Sequence, residues 1–265
     1  MKTFFKCYNS VAALAATLEG DTLQNSEITN ASESKMKNFA GVSSIEEAKD
    51  LLINGDNASA AKIKAAGEIT PPAKESKPRL RNAVVGCLPN VPNYLRGVPT
   101  QMYNVISTAR KKPVINIIIE ATIYDGINET ALAQKCNALA NAIAAVELAG
   151  YRINLFAAAA SHTSSGKSEK ICGFVVNIKE ADAPLNLLAV AFPLMHKAFC
   201  RAIYMRWVDV NVPFYMPNYG YVCRQTQIKE NINVEGVFFS LSELVNRNKT
   251  EVDITNTINE YITAI

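Results

Sequence analysis

The sequence predicts an α/β chain built around a mostly parallel central sheet, and three features carry that prediction. Residues 113–120 (PVINIIIE) form a short β-branched run, the composition of a strand buried on both faces. A long stretch of helical periodicity, 129–149, separates it from a second strand-like run, 151–159 (YRINLFAAA). A β-α-β unit of this kind makes its two strands parallel through a right-handed crossover. Only the polar segment 161–170 then precedes a third run, 171–179 (ICGFVVNIK). So short a connection, with Gly166 inside it, cannot supply a crossover helix, and the third strand is expected to return antiparallel as a hairpin.

Composition bounds the class. With 265 residues, 49% hydrophobic and 19% charged, the chain is too apolar for disorder and too often interrupted by polar residues for a membrane protein. A globular, soluble protein without a membrane partner is expected. The formal net charge of +3 is mild, and basic residues cluster only at Lys77-Pro78-Arg79-Leu80-Arg81 and Arg110-Lys111-Lys112. Charge alone therefore does not argue for nucleic acid. The six cysteines, Cys7, Cys87, Cys136, Cys172, Cys200 and Cys223, form no C-x-x-C pair and no cluster with histidine, so zinc and redox motifs are absent. Cysteines inside apolar runs, such as Cys136 and Cys172, behave as small reduced core residues, and a reducing cytoplasm is expected. Asn9 and Ser10 interrupt the N-terminal apolar stretch, which argues against a signal peptide, and the N-x-S/T sites at Asn30, Asn57, Asn128 and Asn248 then carry no meaning.

Residues 1–104 read as an accessory region. Asn9-Ser10 caps a short helix over 11–18, and the polar stretch 20–37 reads as a loop. Ser43 followed by Glu46 has capping-box spacing for a helix over 45–54, which Gly55 stops. Residues 70–78 (TPPAKESKP) form a connector, and Pro89, Pro92 and Pro99 keep the next stretch extended or turned. The main domain is placed at 105–265. In it, Leu132, Cys136, Leu139, Ile143 and Val146 mark the buried stripe of the 129–149 helix, which Gly150 closes. Asp182-Ala-Pro184 opens a helical region through Cys200, interrupted at Pro193. A fourth strand is expected over 202–209, then a Pro- and Tyr-rich loop at 212–221, a strand at 234–240, a short helix near Glu243 and a terminal helix at 253–262.

A mostly parallel Rossmann-like sheet with a hairpin strand, opened by a strand that ends in an acidic residue, resembles the von Willebrand factor A (VWA) domain over roughly residues 105–265. Four segments in shared order, 39–48 (FAGVSSIEEA) with Leu51, Leu52 and Gly55, 89–99 (PNVPNYLRGVP), 145–151 (AVELAGY) and 178–186 (IKEADAPLN), are similar to a family of bacteriophage proteins with a VWA-like fold. The VWA resemblance implies a divalent-cation loop of the form D-x-S-x-S, with a threonine and an aspartate from two further loops. Mg²⁺ requires hard oxygen ligands in octahedral array. Here the loop reads Glu120-Ala-Thr122-Ile-Tyr124, keeping an acid and one hydroxyl but placing tyrosine at the last serine position. Asp182 and Asp209 are the further carboxylate candidates, Asp182 being equally readable as a helix cap. With that departure no cofactor is expected, Mg²⁺ being the one the loop would take.

Among other candidates, His162 with its serines reads as a surface loop, His196 as a packing or interface residue, and Gly166-Lys167-Ser168 as a chance fragment lacking a P-loop context. Phe214, Tyr215, Tyr219 and Tyr221 crowd one proline-bracketed loop, and Tyr94 and Arg96 another. These rings are either rigid anchors for a partner or cover for the protein's own core. The function expected is a non-catalytic phage interaction module that binds a phage or host protein, with partner contacts above the carboxyl ends of the strands. The alternatives are a metal-dependent enzyme acting on phosphate or nucleic acid through Glu120, Asp182 and Asp209, and a virion or assembly component.

Overall fold

The computed structural model describes residues 2–22, 31–67, 79–106, 113–122, 127–165 and 168–264. The connector at 70–78, the basic run at 110–112, Tyr124, Gly166 and Lys167 lie outside these residues.

The chain opens with strand β1 (Lys2–Tyr8), which has no counterpart in the sequence reading, and helix α1 (Val11–Ala16), whose first turn is held by the Ala13 amide donating to Ser10 Oγ at 3.2 Å. Helix α2 (Glu33–Ala40) follows, in place of the expected loop, and ends at Gly41. In helix α3 (Ile45–Asn54) the cap lies one residue later than expected: the Glu47 amide donates to Ser44 Oγ at 3.1 Å, and the Glu47 carboxylate accepts from the Ser43 amide and hydroxyl. Gly55 stops α3 at φ 90, with its Cα so close to the Leu188 carbonyl that an added Cβ would stand 2.7 Å from that oxygen. Helix α4 (Asn57–Ala65) is capped by the buried Asp56.

A small antiparallel unit comes next, from strands β2 (Arg79–Ala83), β3 (Leu88–Pro89) and β4 (Met102–Ile106) in the order β2-β4-β3, with helix α5 (Val91–Leu95) between β3 and β4. The stretch at 89–99, expected to be extended or turned, is a strand end followed by a helical turn. Asn90 caps that turn, accepting from the Asn93 amide at 3.2 Å, and Pro92 sits in the first turn, where its missing N–H has no helical partner to lose.

The main sheet contains β5 (Val114–Glu120), β6 (Arg152–Ser165), β7 (Ser168–Lys179), β8 (Tyr221–Val222) and β9 (Val237–Ser240), along the path β1-β7-β6-β5-β9 with β8 paired to β6. As expected, β5 and β6 are parallel, joined by helix α6 (Glu129–Leu148), and β6 and β7 form an antiparallel hairpin. The hairpin is longer than its polar sequence suggests: its strands run on through Ser165 and from Ser168, so His162 is a strand residue paired with Ile171. Both β1 on β7 and β9 on β5 are parallel.

Helix α7 (Leu187–Met195) contains Pro193 and ends at His196; a π-helical turn (Phe199–Tyr204) leads directly into α8 (Met205–Asn211). The strand expected over 202–209 is therefore helical. Its composition is β-prone, but Ile203 with Trp207, and Tyr204 with Val208 and Val212, recur at four-residue spacing and are all buried. The capping role expected of Asp182 falls instead to Asn186, which accepts from the Leu188 amide at 3.0 Å. Helices α9 (Gln225–Lys229), α10 (Leu241–Asn246) and α11 (Glu251–Ala264) complete the chain.

One face of the sheet carries nearly all the helices. Ile115, Ile117, Ile119, Ala157, Ala159, Phe174 and Val176 pack there with residues of α1–α4, α6–α8, α10 and α11. On the opposite face Ile118, Ala158, Ala160, Val175 and Phe238 meet Ile228 of α9 and Ile232. The boundary expected near residue 105 does not divide the core, because β1 pairs along its whole length with β7 and α1–α4 share the core of the sheet. Among the described side chains, none of the 79–106 unit belongs to either core cluster.

Candidate functional site

The sheet topology opens a cleft at the carboxyl end of β5. On one edge of β6, β5 keeps register only as far as Glu120 opposite Ala158; β8 takes over the same edge from Ser161, paired with Val222. Two strands that share an edge but come from distant parts of the chain leave a gap where one ends and the other begins, which is where open α/β sheets present ligand sites. The resulting cleft, about 220 Å³, is lined by Phe39, Thr122, Tyr204, Met205, Tyr219 and Val222, with Cys200 and Arg201 from the π-helical turn.

Two kinds of unusual backbone form its wall. The π-helical turn is one, and such turns concentrate at functional sites. The other is Asn218 and Tyr219 in succession at φ 49 and 59, left-handed values that non-glycine residues rarely hold. Gly220 follows them because an added Cβ would stand 2.6 Å from the His162 carbonyl oxygen.

At the carboxyl end of β5, Glu120 is buried and both its oxygens are engaged. The Thr122 amide donates to one carboxylate oxygen at 2.8 Å and the Ser240 hydroxyl to the other at 2.7 Å. Burial raises the proton affinity of this carboxyl above the ordinary glutamate range, against the opposing pull of the Thr122 and Ser240 dipoles. Thr122 is 6% exposed; its hydroxyl lies near enough to Glu120 to favour the charged carboxylate, yet its Oγ1 forms no hydrogen bond of proper geometry with any described residue. Burial also pushes the Cys200 thiol up to about 12, which makes it a packing residue rather than a thiolate nucleophile. Ser161 Oγ and Tyr204 Oη lie 2.6 Å apart in a buried pair on the cleft wall.

The four metal candidates do not converge. Asp182 pairs with Arg152 at 2.8 Å, and Arg152 lies opposite Val114, the first residue of β5, whereas Glu120 is the last. A strand length, roughly 20 Å, separates the two ends. Asp209 is buried in α8 and accepts from the Tyr219 hydroxyl at 3.2 Å. Among the described residues no three His, Cys, Asp or Glu side chains are grouped to hold a metal.

A family model described as Domain of unknown function (DUF7192) matches residues 2–261. The chain belongs to the DUF7192 family. No curated protein and no solved structure matches it. The family match runs from β1 to α11 and includes the 79–106 unit, so all of these belong to one DUF7192 domain.

Within this DUF7192 domain the aromatic candidates separate by environment. Phe214 and Tyr219 pack against the main core, whereas Tyr215 and Tyr221 are exposed. Tyr94 and Arg96 are exposed on and just after α5. Sequence reasoning missed most of the cleft: Phe39, Ser161, Cys200 and Tyr204 come together only through long-range packing. It also missed the exposed aliphatic residues of the small unit, Val84, Val85, Leu88, Val91 and Leu95. Their density between positions 84 and 95 was the available signal. No single helix among the described residues is long and apolar enough to cross a membrane, and the bent pair α7 and Phe199–Asn211 that comes nearest is largely buried in the core.

Proposed function

We propose that the domain is a non-catalytic interaction module of VWA-like build, and that the 79–106 unit is the surface that holds a protein partner. The observation that carries this reading is the concentration of exposed large apolar side chains there: Val85, Tyr94 and Leu95 are 78%, 66% and 77% exposed, with Val84, Leu88 and Val91 beside them in sequence. Apolar residues gathered in one small unit, and absent from the protein's own core, mark an interaction surface.

Charge narrows the partner. The unit contains Arg79, Arg81 and Arg96 and no acidic residue, while the rest of the chain has 24 basic and 24 acidic residues, so the formal net charge of +3 resides in this unit. Its occupant is a protein surface with an apolar centre and an acidic rim. A second copy would set like charges against each other, and aliphatic residues outnumber the one exposed aromatic ring, which favours protein over stacked bases. The hairpin within a parallel sheet supports the VWA-like reading, and the order of the four matching segments supports a bacteriophage protein acting in the host cytoplasm or on the virion. Glu120, both of whose oxygens already accept hydrogen bonds from the protein, supports a role without catalysis.

Capture of a partner by the whole domain, compared with Leu95→Asp and with Arg81→Glu/Arg96→Glu, tests the proposal. A specific partner should be lost with both variants and should bind more weakly as salt rises. Equal capture by all three proteins, or capture of nucleic acid in place of protein, would contradict it.

A further inference from the structure

A second cavity, larger than the cleft and adjoining it at Arg201, takes no part in that reading and stands independently of it. We propose that it binds a small organic monocarboxylate, whose carboxylate group is received by the His196 Nε2–H and the Lys197 ammonium and whose apolar body rests on Leu51 and Ile127.

Place and size fit a ligand site. The cavity measures about 520 Å³, within the roughly 300–1,000 Å³ of small-molecule sites. Ile127 and Glu129 bring to it the start of α6, the helix that follows β5, so it lies on the carboxyl-end side of the sheet.

Two consecutive residues supply the donors. The His196 ring stacks on Phe192 with centroids 5.4 Å apart, and its Nδ1 accepts from the Ala198 amide at 3.1 Å, so the ring is fixed and its proton sits on Nε2. Among the described residues that N–H has no acceptor, and the atom is not sealed from solvent. Burial holds the proton affinity of the ring below the ordinary histidine value, which keeps it a neutral donor at neutral pH. Lys197 is half-buried; its Nζ donates to the Asn38 carbonyl at 3.2 Å and meets no carboxylate of the described residues within ion-pair distance. An ammonium has further N–H donors to offer a ligand.

Charge sets the class. The lining holds three cations, Lys62, Lys197 and Arg201, and two acids, Asp56 and Glu129. Both acids are engaged within the protein: Asp56 accepts from the Ser59 amide at 3.1 Å and hydroxyl at 2.5 Å, and Glu129 pairs with Lys62. One positive charge is left over. A monoanion balances it, whereas a dianion would bring an uncompensated charge out of water. The two oxygens of a carboxylate match one donor from each of His196 and Lys197. Leu51 and Ile127, both half-buried, leave apolar surface for the rest of the ligand.

The test is ligand-observed NMR titration of the whole chain with 2-naphthoate, its neutral isostere 2-naphthamide and the dianion 2-naphthyl phosphate. Saturable binding is expected for the naphthoate, with the amide and the phosphate each about tenfold weaker. Lys197→Met keeps the aliphatic stem and should bring naphthoate down to the level of the amide, whose own binding persists and shows the cavity intact. Ala58→Trp, which fills the cavity from its exposed rim, should remove both, while Lys64→Met, on the same helix but outside the lining, should change neither. Absence of saturable naphthoate binding, equal binding of acid and amide, tighter binding of the phosphate, or naphthoate binding unchanged by Lys197→Met and Ala58→Trp would overturn the proposal.

Discussion

The indole Nε1–H of Trp207 donates to the hydroxyl of Tyr8 at 2.7 Å, and this buried bond ties the first strand of the chain to α8. Thr17 Oγ1 adds a second hydrogen bond to the same hydroxyl at 3.2 Å. Tyr8→Phe leaves the indole N–H in a dry core with no acceptor, so a loss of about 1–3 kcal/mol is expected in urea unfolding. Trp207 is the only tryptophan, and its emission should report the change directly. Unchanged stability and emission would show that β1 is not held as described.

Glu120 gives stability a specific pH dependence. Its carboxyl holds its proton more tightly in the folded state than the ordinary glutamate value of 4.5 allows, chiefly through burial. For an acid shifted upward, the folded form binds the extra proton, so stability is greatest at low pH and falls as pH rises from about 4.5 through the folded pKa. Glu120→Gln removes the ionisation and keeps an acceptor for the Thr122 amide. Denaturant unfolding at pH 5 and pH 8 should show the variant gaining on the wild type at the higher pH; an equal difference at both would contradict the burial argument.

Lys179, at the end of β7, is buried and donates to Glu147 at 2.6 Å and to the Ile153 and Glu180 carbonyls at 2.9 and 3.1 Å. Lys179→Ala strands the Ile153 carbonyl and leaves Glu147 without its cation, and a loss of about 3 kcal/mol is expected. Lys179→Met fills the same volume and should cost clearly less. If the two variants are equal in chemical denaturation, pairing rather than packing is what this side chain supplies.

The two tyrosine-bearing segments should behave differently. Tyr219 is half-buried, packs against the core and donates to Asp209, so Tyr219→Ala is expected to lower stability by about 3 kcal/mol. Tyr94 is exposed, and Tyr94→Ala should leave the thermal midpoint within about a degree or two. Equal destabilisation by both would show that α5 packs more tightly than its exposure indicates.

What was legible in the sequence was what depends on neighbours along the chain. The β-branched run of β5, the apolar stripe of α6 and the short link to β7 declare their structures locally. In contrast, β1 acquires its place only by pairing with β7, whose residues lie more than a hundred and fifty positions away. The π-helical turn and α8 were obscured because Ile203, Tyr204, Trp207 and Val208 favour strands by composition, and only burial of a four-residue repeat reveals the helix. Prolines hid α5 in the same way, since Pro92 occupies the one part of a helix that tolerates it. Glu120 and Thr122 were found because they follow a strand end; Asp182 was misplaced because a hairpin reverses direction and carries the end of β7 to the opposite end of the sheet.

The partner surface is most directly tested by photo-crosslinking in the cells that contain the protein, with the reactive side chain placed at position 95 and, as a control, at position 252. Leu95 lies in the small unit and Val252 on α11, and both are exposed apolar residues. Position 95 should yield a discrete protein adduct that position 252 does not, and the adduct should disappear when Arg81→Glu and Arg96→Glu are introduced. Identical products from the two positions, or an adduct indifferent to those charges, would contradict the assignment of partner binding to residues 79–106.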